Sequence, residues 1–312
     1  MTTAATSTLP LLLVEVEAVR VERLSPSFVR VELASPALAD FGTDGPRYDQ
    51  RIKLIFPGDG PLPSFEGVDE AWLQAWYERP AEERGHMRTY TVRDVRGSGA
   101  DTRLVVDFVL HAGDEPSGPG ASWGAQAKVG DRIATMAPRA GMPFGGIEFV
   151  PGTADRLLLV GDETAVPAVA GILAGLAPDA RGAAFLEVPV SGDVQTVEHP
   201  EGVSVTWLPR DGAPRGVALH QAVLDHLGAS TSVPEVDEVD PDLWETPTYS
   251  SSGEEIDDAV VVGHDFDGLY AWIAGESKVV TGLRRALVND LGIDRRQVAF
   301  MGYWRVGVAM KS

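Results

Sequence analysis

The chain has 312 residues, 44% of them hydrophobic, which is too long for one comfortable core and apolar enough for two. It contains no cysteine, which excludes disulfide staples, thiolate metal sites, cysteine-ligated iron–sulfur clusters and a thiol nucleophile, and fits a reducing compartment. A net charge of −20 argues against nucleic acid and anionic membrane as partners, since both need a basic footprint.

Met1 to Val14 has no Lys or Arg ahead of the apolar run Leu9-Pro10-Leu11-Leu12-Leu13-Val14, so it lacks the basic region of a signal peptide. No stretch approaches a membrane span, and the expectation is a cytoplasmic protein without membrane insertion. Residues 14–21, 28–33, 51–56, 87–95, 103–111 and 132–137 alternate or run apolar between Pro, Gly and Asp punctuation. That pattern predicts the strands of a small antiparallel barrel. Between them, Trp72, Leu73, Trp76 and Tyr77 fall at helical spacing and predict a short amphipathic helix whose aromatics serve packing. Gly118-Pro119-Gly120-Ala121-Ser122-Trp123 reads as a turn before a short helix over 123–128, and Gly130-Asp131 as the tight turn into the last barrel strand.

The rhythm changes near Pro151-Gly152, which is placed as the boundary between a domain over 13–150 and a second over 151–312. Strands at 156–160, 183–188, 203–208, 259–262, 271–274 and 297–302 alternate with helices at 165–176, 217–227 and 278–291, which implies a parallel α/β sheet. From Gly216 to Ser277 there is no Lys or Arg, while Glu235, Asp237, Glu238, Asp240, Asp242 and Glu245 begin a dense acidic run interleaved with proline and serine. Residues 230–258 therefore read as a mobile, solvated loop.

Two segments carry chemistry in the first half. Arg88-Thr89-Tyr90-Thr91-Val92-Arg93 presents two guanidiniums, a phenol and small hydroxyls on an extended strand. Arg88 can neutralise a diphosphate, Tyr90 can lie against an isoalloxazine, and Thr91 can hydrogen-bond near a flavin's reactive nitrogen. The same alternation also describes an ordinary exposed barrel strand. The 118–123 turn would aim the free amides of a helix start at an anion, with glycine permitting close approach, or is a plain surface loop.

In the second half, Gly161-Asp162-Glu163-Thr164 lies between strand and helix, where a doubly wound sheet binds a nucleotide. It is not G-x-G-x-x-G, its two acids would repel a pyrophosphate unless they face away, and Thr164 reads as a helix cap. Glu187 ends the next strand, a position from which an acid takes ribose hydroxyls and disfavours a 2′-phosphate, which leans toward NADH. Glu276, in Ala274-Gly275-Glu276, is read either as a nicotinamide contact or as the cap of the helix that follows.

Taken in order, Arg88-x-Tyr90-Thr91-x-Arg93, Asp107-Phe108-Val109-Leu110-His111, Gly120-Ala121-Ser122-Trp123, Gly161-Asp162-Glu163-Thr164-Ala165-x-Pro167-Ala168, Ala274-Gly275-Glu276 and Gly302-Tyr303-Trp304-Arg305 resemble the siderophore-interacting protein family. Its members are flavin-dependent ferric-siderophore reductases of the ferredoxin-reductase-like superfamily. The resemblance implies an FAD-binding barrel followed by a nucleotide-binding α/β domain, with NADH or NADPH as donor and a ferric siderophore as acceptor. It implies cofactor contacts at the quoted motif residues and a basic siderophore pocket, for which Lys53 and Arg305 are the best matches. The acidic loop is longer than that pattern leads one to expect. No general base is required, and the six histidines show no metal-ligand spacing. A general NAD(P)H-dependent flavin or ferredoxin-type reductase, and a siderophore-binding protein without turnover, remain as alternatives.

Overall fold

The computed structural model describes residues 9–58, 60–62, 64–65, 71–110, 118–229, 244–246, 249–250 and 266–307. In the first half the strands are β1 (Leu11–Ser25), β2 (Phe28–Ala34), β3 (Arg51–Phe56), β4 (His86–Thr91), β5 (Asp94–Arg96), β6 (Arg103–Val109) and β7 (Arg132–Pro138). They form one antiparallel sheet of seven strands in the order β4-β3-β7-β1-β2-β6-β5. The expected strand over 87–95 is in fact two. Val92 and Arg93 break it, so that β4 pairs with β3 at one edge of the sheet and β5 pairs with β6 at the other. One continuous segment thus runs from one edge of the sheet to the other, which curls the sheet into a half-barrel.

Strand alternation sets the core. Ile52, Leu54 and Phe56 of β3 point inward with Val29, Val31, Leu104, Val106, Phe108 and Ile133, all buried. On the outer face, Ile55 and Met87 are covered by Trp72 and Trp76 of helix α1 (Trp72–Glu78), the packing role expected for those aromatics; α2 (Ala81–Arg84) follows it. Helix α3 (Pro119–Gln126) starts four residues earlier than expected. Pro119 occupies its first turn, where the missing N–H costs nothing and the fixed φ favours helix, so the presumed turn residues Gly120, Ala121, Ser122 and Trp123 are helical.

The second half is a parallel sheet of β10 (Val203–Pro209), β9 (Gly182–Val188), β8 (Arg156–Gly161), β13 (Leu269–Glu276) and β14 (Val298–Trp304), in that spatial order. Its two faces read directly from alternation. Leu157 and Leu159 with Tyr270 and Trp272 pack against Val169, Ile172 and Leu173 of α4 (Val166–Gly175). Leu158 and Val160 with Ala271 and Ile273 pack against α5 (Val217–His226) and α6 (Ser277–Arg285) on the other side. After α6 the chain makes a π-helical turn over Ala286–Asp290 rather than continuing as α-helix.

Part of the presumed loop is sheet. β11 (Trp244–Thr246) pairs antiparallel with β14, and β12 (Tyr249–Ser250) pairs with β11. The remainder of 230–258 and the expected strand over 259–262 lie outside the described residues. Among the described residues no helix is long and apolar enough to cross a membrane.

Candidate active site

The barrel's closing segment carries the first group of predicted residues. Across the β3–β4 ladder Lys53 stands opposite Thr89, Leu54 opposite Arg88, Ile52 opposite Tyr90 and Arg51 opposite Thr91. Lys53 Nζ donates to Thr89 Oγ1 at 2.7 Å. Burial, then the Arg51 and Arg88 guanidiniums, hold Lys53 below the usual lysine value. Burial likewise lowers Arg88, whose Nη1 donates to the Met87 carbonyl. Arg51 and Lys53 share one face of this ladder, Arg51 paired with Glu148, while Arg88, opposite the inward-pointing Leu54, lies on the other.

Tyr90 is half-buried, its ring 4.6 Å from Phe108 and 6.0 Å from Phe56, and Thr91 is buried. α3 closes over this aromatic group. Trp123 packs 5.2 Å from Phe108, and a Cβ on Gly120 would run into the Tyr90 hydroxyl, so only glycine admits this approach. Ala121 is buried and Ser122 half-buried beside it. Arg93 sits at the break after β4, where its N–H donates to the Val105 carbonyl at 2.9 Å. Asp107 is held bidentately by Arg30 at 2.7 and 2.8 Å. Burial lowers Arg93, Asp107 opposes that, and Arg30 adds to it. His111 lies outside the described residues.

At the carboxyl ends of β8, β9 and β13 the predicted acids are all buried. Asp162 accepts from Thr164 N at 2.9 Å and Thr164 Oγ1 at 2.6 Å, from Glu276 N at 2.7 Å and from Trp304 Nε1 at 2.8 Å. Burial, then the Glu163 carboxylate, push Asp162 up to about 7, and the Thr164 and Trp304 donors pull it back. Thr164 is therefore not the helix cap expected of it. Its hydroxyl is spent on Asp162, and α4 begins without a side-chain cap. Gly275 lies against the same carboxylate, where a Cβ would come within 2.7 Å.

Glu163 pairs with Arg210 through two bonds of 2.8 and 3.0 Å, and Arg210 Nη1 also reaches Glu187 at 3.0 Å. Burial opposes the Arg210 charge, but the two carboxylates outweigh it and raise its pKa. Glu187 is fully buried and accepts from Gly216 N as well. It is thus not presented to a ribose as the sequence suggested; its carboxylate is consumed internally. The two acids after Gly161 do face away from any phosphate, because each is tied to a neighbouring element. Glu276 takes the capping role of its two readings: its Oε2 accepts from Lys278 N and Val279 N at the start of α6, and its Oε1 from Val306 N.

Arg215 and Asp49, which the sequence did not single out, join the predicted Trp304 and Arg305 at the site. Arg215 stacks over Trp304, its guanidinium carbon 4.5 Å from the ring centroid. Arg305 follows directly, half-buried, after β14. The barrel and the parallel sheet meet here. Asp49, just ahead of β3, accepts from Trp272 Nε1 of β13 at 3.1 Å, and Arg51 pairs with Glu148 in the connection between the sheets. The loop leading into β3, the strand that pairs with β4, is thereby joined to β13 of the parallel sheet.

The family model described as siderophore-interacting FAD-binding domain matches residues 17–142, and the model described as siderophore-interacting protein matches 154–307. The chain belongs to the siderophore-interacting protein family. An uncharacterized protein of Mycobacterium tuberculosis, Rv2895c, is 32% identical over 297 residues, covering 93% of this chain and 89% of that one. Ferric vibriobactin reductase ViuB of Vibrio cholerae is 27% identical over 293 residues, covering 93% of this chain and 88% of its own. Among solved structures, a siderophore utilization protein from T. fusca superposes with a TM-score of 0.64 at 28% identity, over 96% of this chain and 95% of that one. A more distant match, the ferredoxin reductase in carbazole 1,9a-dioxygenase, shares the fold alone, with a TM-score of 0.57 at 16% identity over 95% of this chain and 68% of that one.

Proposed function

We propose that this protein is a cytoplasmic ferric-siderophore reductase, with an FAD-binding domain over 13–150 and an NAD(P)H-binding domain over 151–312. The observation that carries the reading is the packing of the α3 start on Tyr90 of β4, with the β3 side of the barrel joined to the parallel sheet through Asp49 and Trp272. The residues suit FAD. Arg88 supplies a cation for a diphosphate, the Gly120 and Ala121 amides precede the first intrahelical bond of α3, from Ser122 N to Gly118 O, and Gly120 lets that helix start pack on Tyr90. When bound, FAD accepts a hydride from a nicotinamide and passes electrons singly to an acceptor.

The chain's own residues do the positioning. Asp162 and Glu276 fix the ends of β13 and β14 and the start of α6, so the Trp304-Arg305 segment is held at the junction. Lys53, close enough to Arg51 and Arg88 for both to lower its pKa, gives this edge of the barrel a local positive charge in a chain of net charge −20, which would draw in an anionic ferric chelate. Arg305 is read as a further cation for that substrate. Reduction of the substrate's Fe(III) weakens its hold on hard oxygen ligands and lets the metal leave. No side chain need act as a general base, since neither hydride nor electron transfer demands one. ViuB, named for its reduction of a ferric siderophore and matching nearly end to end, supports this reading over a general flavin or ferredoxin-type reductase.

The test is direct. Purified protein should be yellow with about one FAD per chain, and should oxidise a nicotinamide nucleotide faster with a ferric siderophore than with ferredoxin. A colourless protein that binds no added FAD, or equal turnover with both acceptors, overturns it.

A further inference from the structure

The junction proposed above depends on the contact between the two sheets. That contact is built around Asp49, a carboxylic acid in a loop that is nonetheless fully buried. Its carboxylate accepts from Glu148 N at 3.1 Å and Phe149 N at 3.1 Å in the connection between the sheets, and from Trp272 Nε1 in β13 at 3.1 Å. Next to it, Tyr48 is held with a left-handed φ of 41°. Its carbonyl lies against Gly171 so closely that a Cβ there would collide with it, and its ring lies 3.0 Å from the Cβ position of Gly175. Gly171 and Gly175 are one turn apart on α4, so the helix offers a flat groove in which Tyr48 sits, backed by Phe149 at 5.0 Å. Tyr270 of β13 adds a hydroxyl that bonds Val150 N and the Glu148 carbonyl.

A buried carboxylate with one partner removed costs several kcal/mol, so such a group is kept only where its bonds are all made. Here they join the barrel, the connection and the parallel sheet at one point. β3 leaves this point toward Arg51 and Lys53, and α4 leaves it with its first turn beside Asp162. We infer that Asp49 is a positioning residue for the reductive half-reaction: it clamps the nucleotide-side sheet to the flavin-side strand, so the donor reaches its acceptor within one rigid body and without domain closure. The inference rests on the function proposed above, and reacting groups held this way lose on the order of 10²-fold in rate for a displacement of about 1 Å.

The absence of cysteine allows paired labels to be introduced cleanly. Lys128→Cys on the barrel side and Asp225→Cys on α5 are both exposed, and nitroxides there report the sheet-to-sheet distance by double electron–electron resonance. Expected is one narrow distance distribution, unchanged by NADH. In Asp49→Ala the distribution should broaden or shift. Flavin reduction by NADH should slow about 10²-fold, while photoreduced flavin is reoxidised by ferric citrate within about twofold of wild type and FAD content is retained. Asp49→Asn, which keeps one acceptor oxygen, should fall between. If Asp49→Ala does not fold, Trp272→Phe removes a single donor and should give the same split in smaller measure. A wild-type distance that changes on NADH binding, or Asp49 and Trp272 variants with unchanged distance and unchanged reduction, overturns the inference. Failure of the wild type to bind FAD or accept electrons from NADH would instead sink the proposed function, and the label distances would still be readable.

Discussion

Replacing Arg210 by alanine isolates the buried ion triad at the nucleotide edge. The substitution removes the cation shared by the Glu163 and Glu187 carboxylates, at side-chain exposures of 2% and 0%, and leaves Arg215 at 4.0 Å from Glu163. Removing one partner of a buried pair costs about 3–5 kcal/mol, because the remaining charge keeps its desolvation penalty. Gly216 N still bonds Glu187, so the lower half of that range is expected, with a fall in melting temperature on the order of 10 °C. The deficit should depend on pH. Burial already raises Glu187, with Arg210 among the groups restraining it, so in the variant its pKa climbs further. A native carboxyl with a raised pKa keeps its proton when the unfolded chain has lost it. Stability therefore falls as pH rises from the ordinary glutamate value through the native one. Urea midpoints followed by tryptophan fluorescence at pH 5 and pH 8 should show the Arg210→Ala deficit larger at pH 8. A deficit below about 1 kcal/mol, equal at both pH values, would mean the triad is solvated like a surface pair.

Other outcomes follow from the same geometry. Arg88→Ala should weaken FAD binding by about 2 kcal/mol through loss of a charge-assisted contact, measured by titrating apoprotein with FAD; unchanged affinity would remove Arg88 from the diphosphate. NADH should reduce the flavin faster than NADPH in stopped flow, because Arg210 is saturated by Glu163 and Glu187; preference for NADPH would show Arg210 free to take the 2′-phosphate. Lys53→Ala and Arg305→Ala should slow reoxidation by an anionic ferric chelate at low ionic strength and matter less in high salt, leaving reduction by nucleotide unchanged. Equal reoxidation rates in variants and wild type would rule the anchor out.

Much of this was legible in the sequence, and what was not has physical causes. Alternating or continuous apolar runs marked the barrel strands, and unbroken apolar runs between helices marked the parallel sheet, because burial on one or two faces writes itself into the residue order. The start of α3 was misjudged since Gly118-Pro119-Gly120 resembles a turn, although proline in the first turn is equally a helix start. The short strands β11 and β12 were hidden in an acidic, proline-rich stretch whose composition argues for solvent. Partners distant in the chain could not be read at all. Glu163 finds Arg210 47 residues on, and Asp49 finds Trp272 223 residues on. For that reason the acids after Gly161 looked exposed to a phosphate, Glu187 looked free to take a ribose, and Asp49 drew no notice.

The central claim, that electrons pass from a nicotinamide through FAD on the barrel to siderophore-bound iron, is tested most directly by one anaerobic stopped-flow sequence. The FAD-loaded protein is mixed with NADH or NADPH, and then with a ferric siderophore and a ferrous-specific chelator. The account predicts bleaching of the flavin absorbance in the first mix, its return in the second, and about two Fe(II) trapped per flavin, since a hydride carries two electrons. Flavin that is bleached but not reoxidised by the siderophore, or that returns without trapped Fe(II), would contradict it.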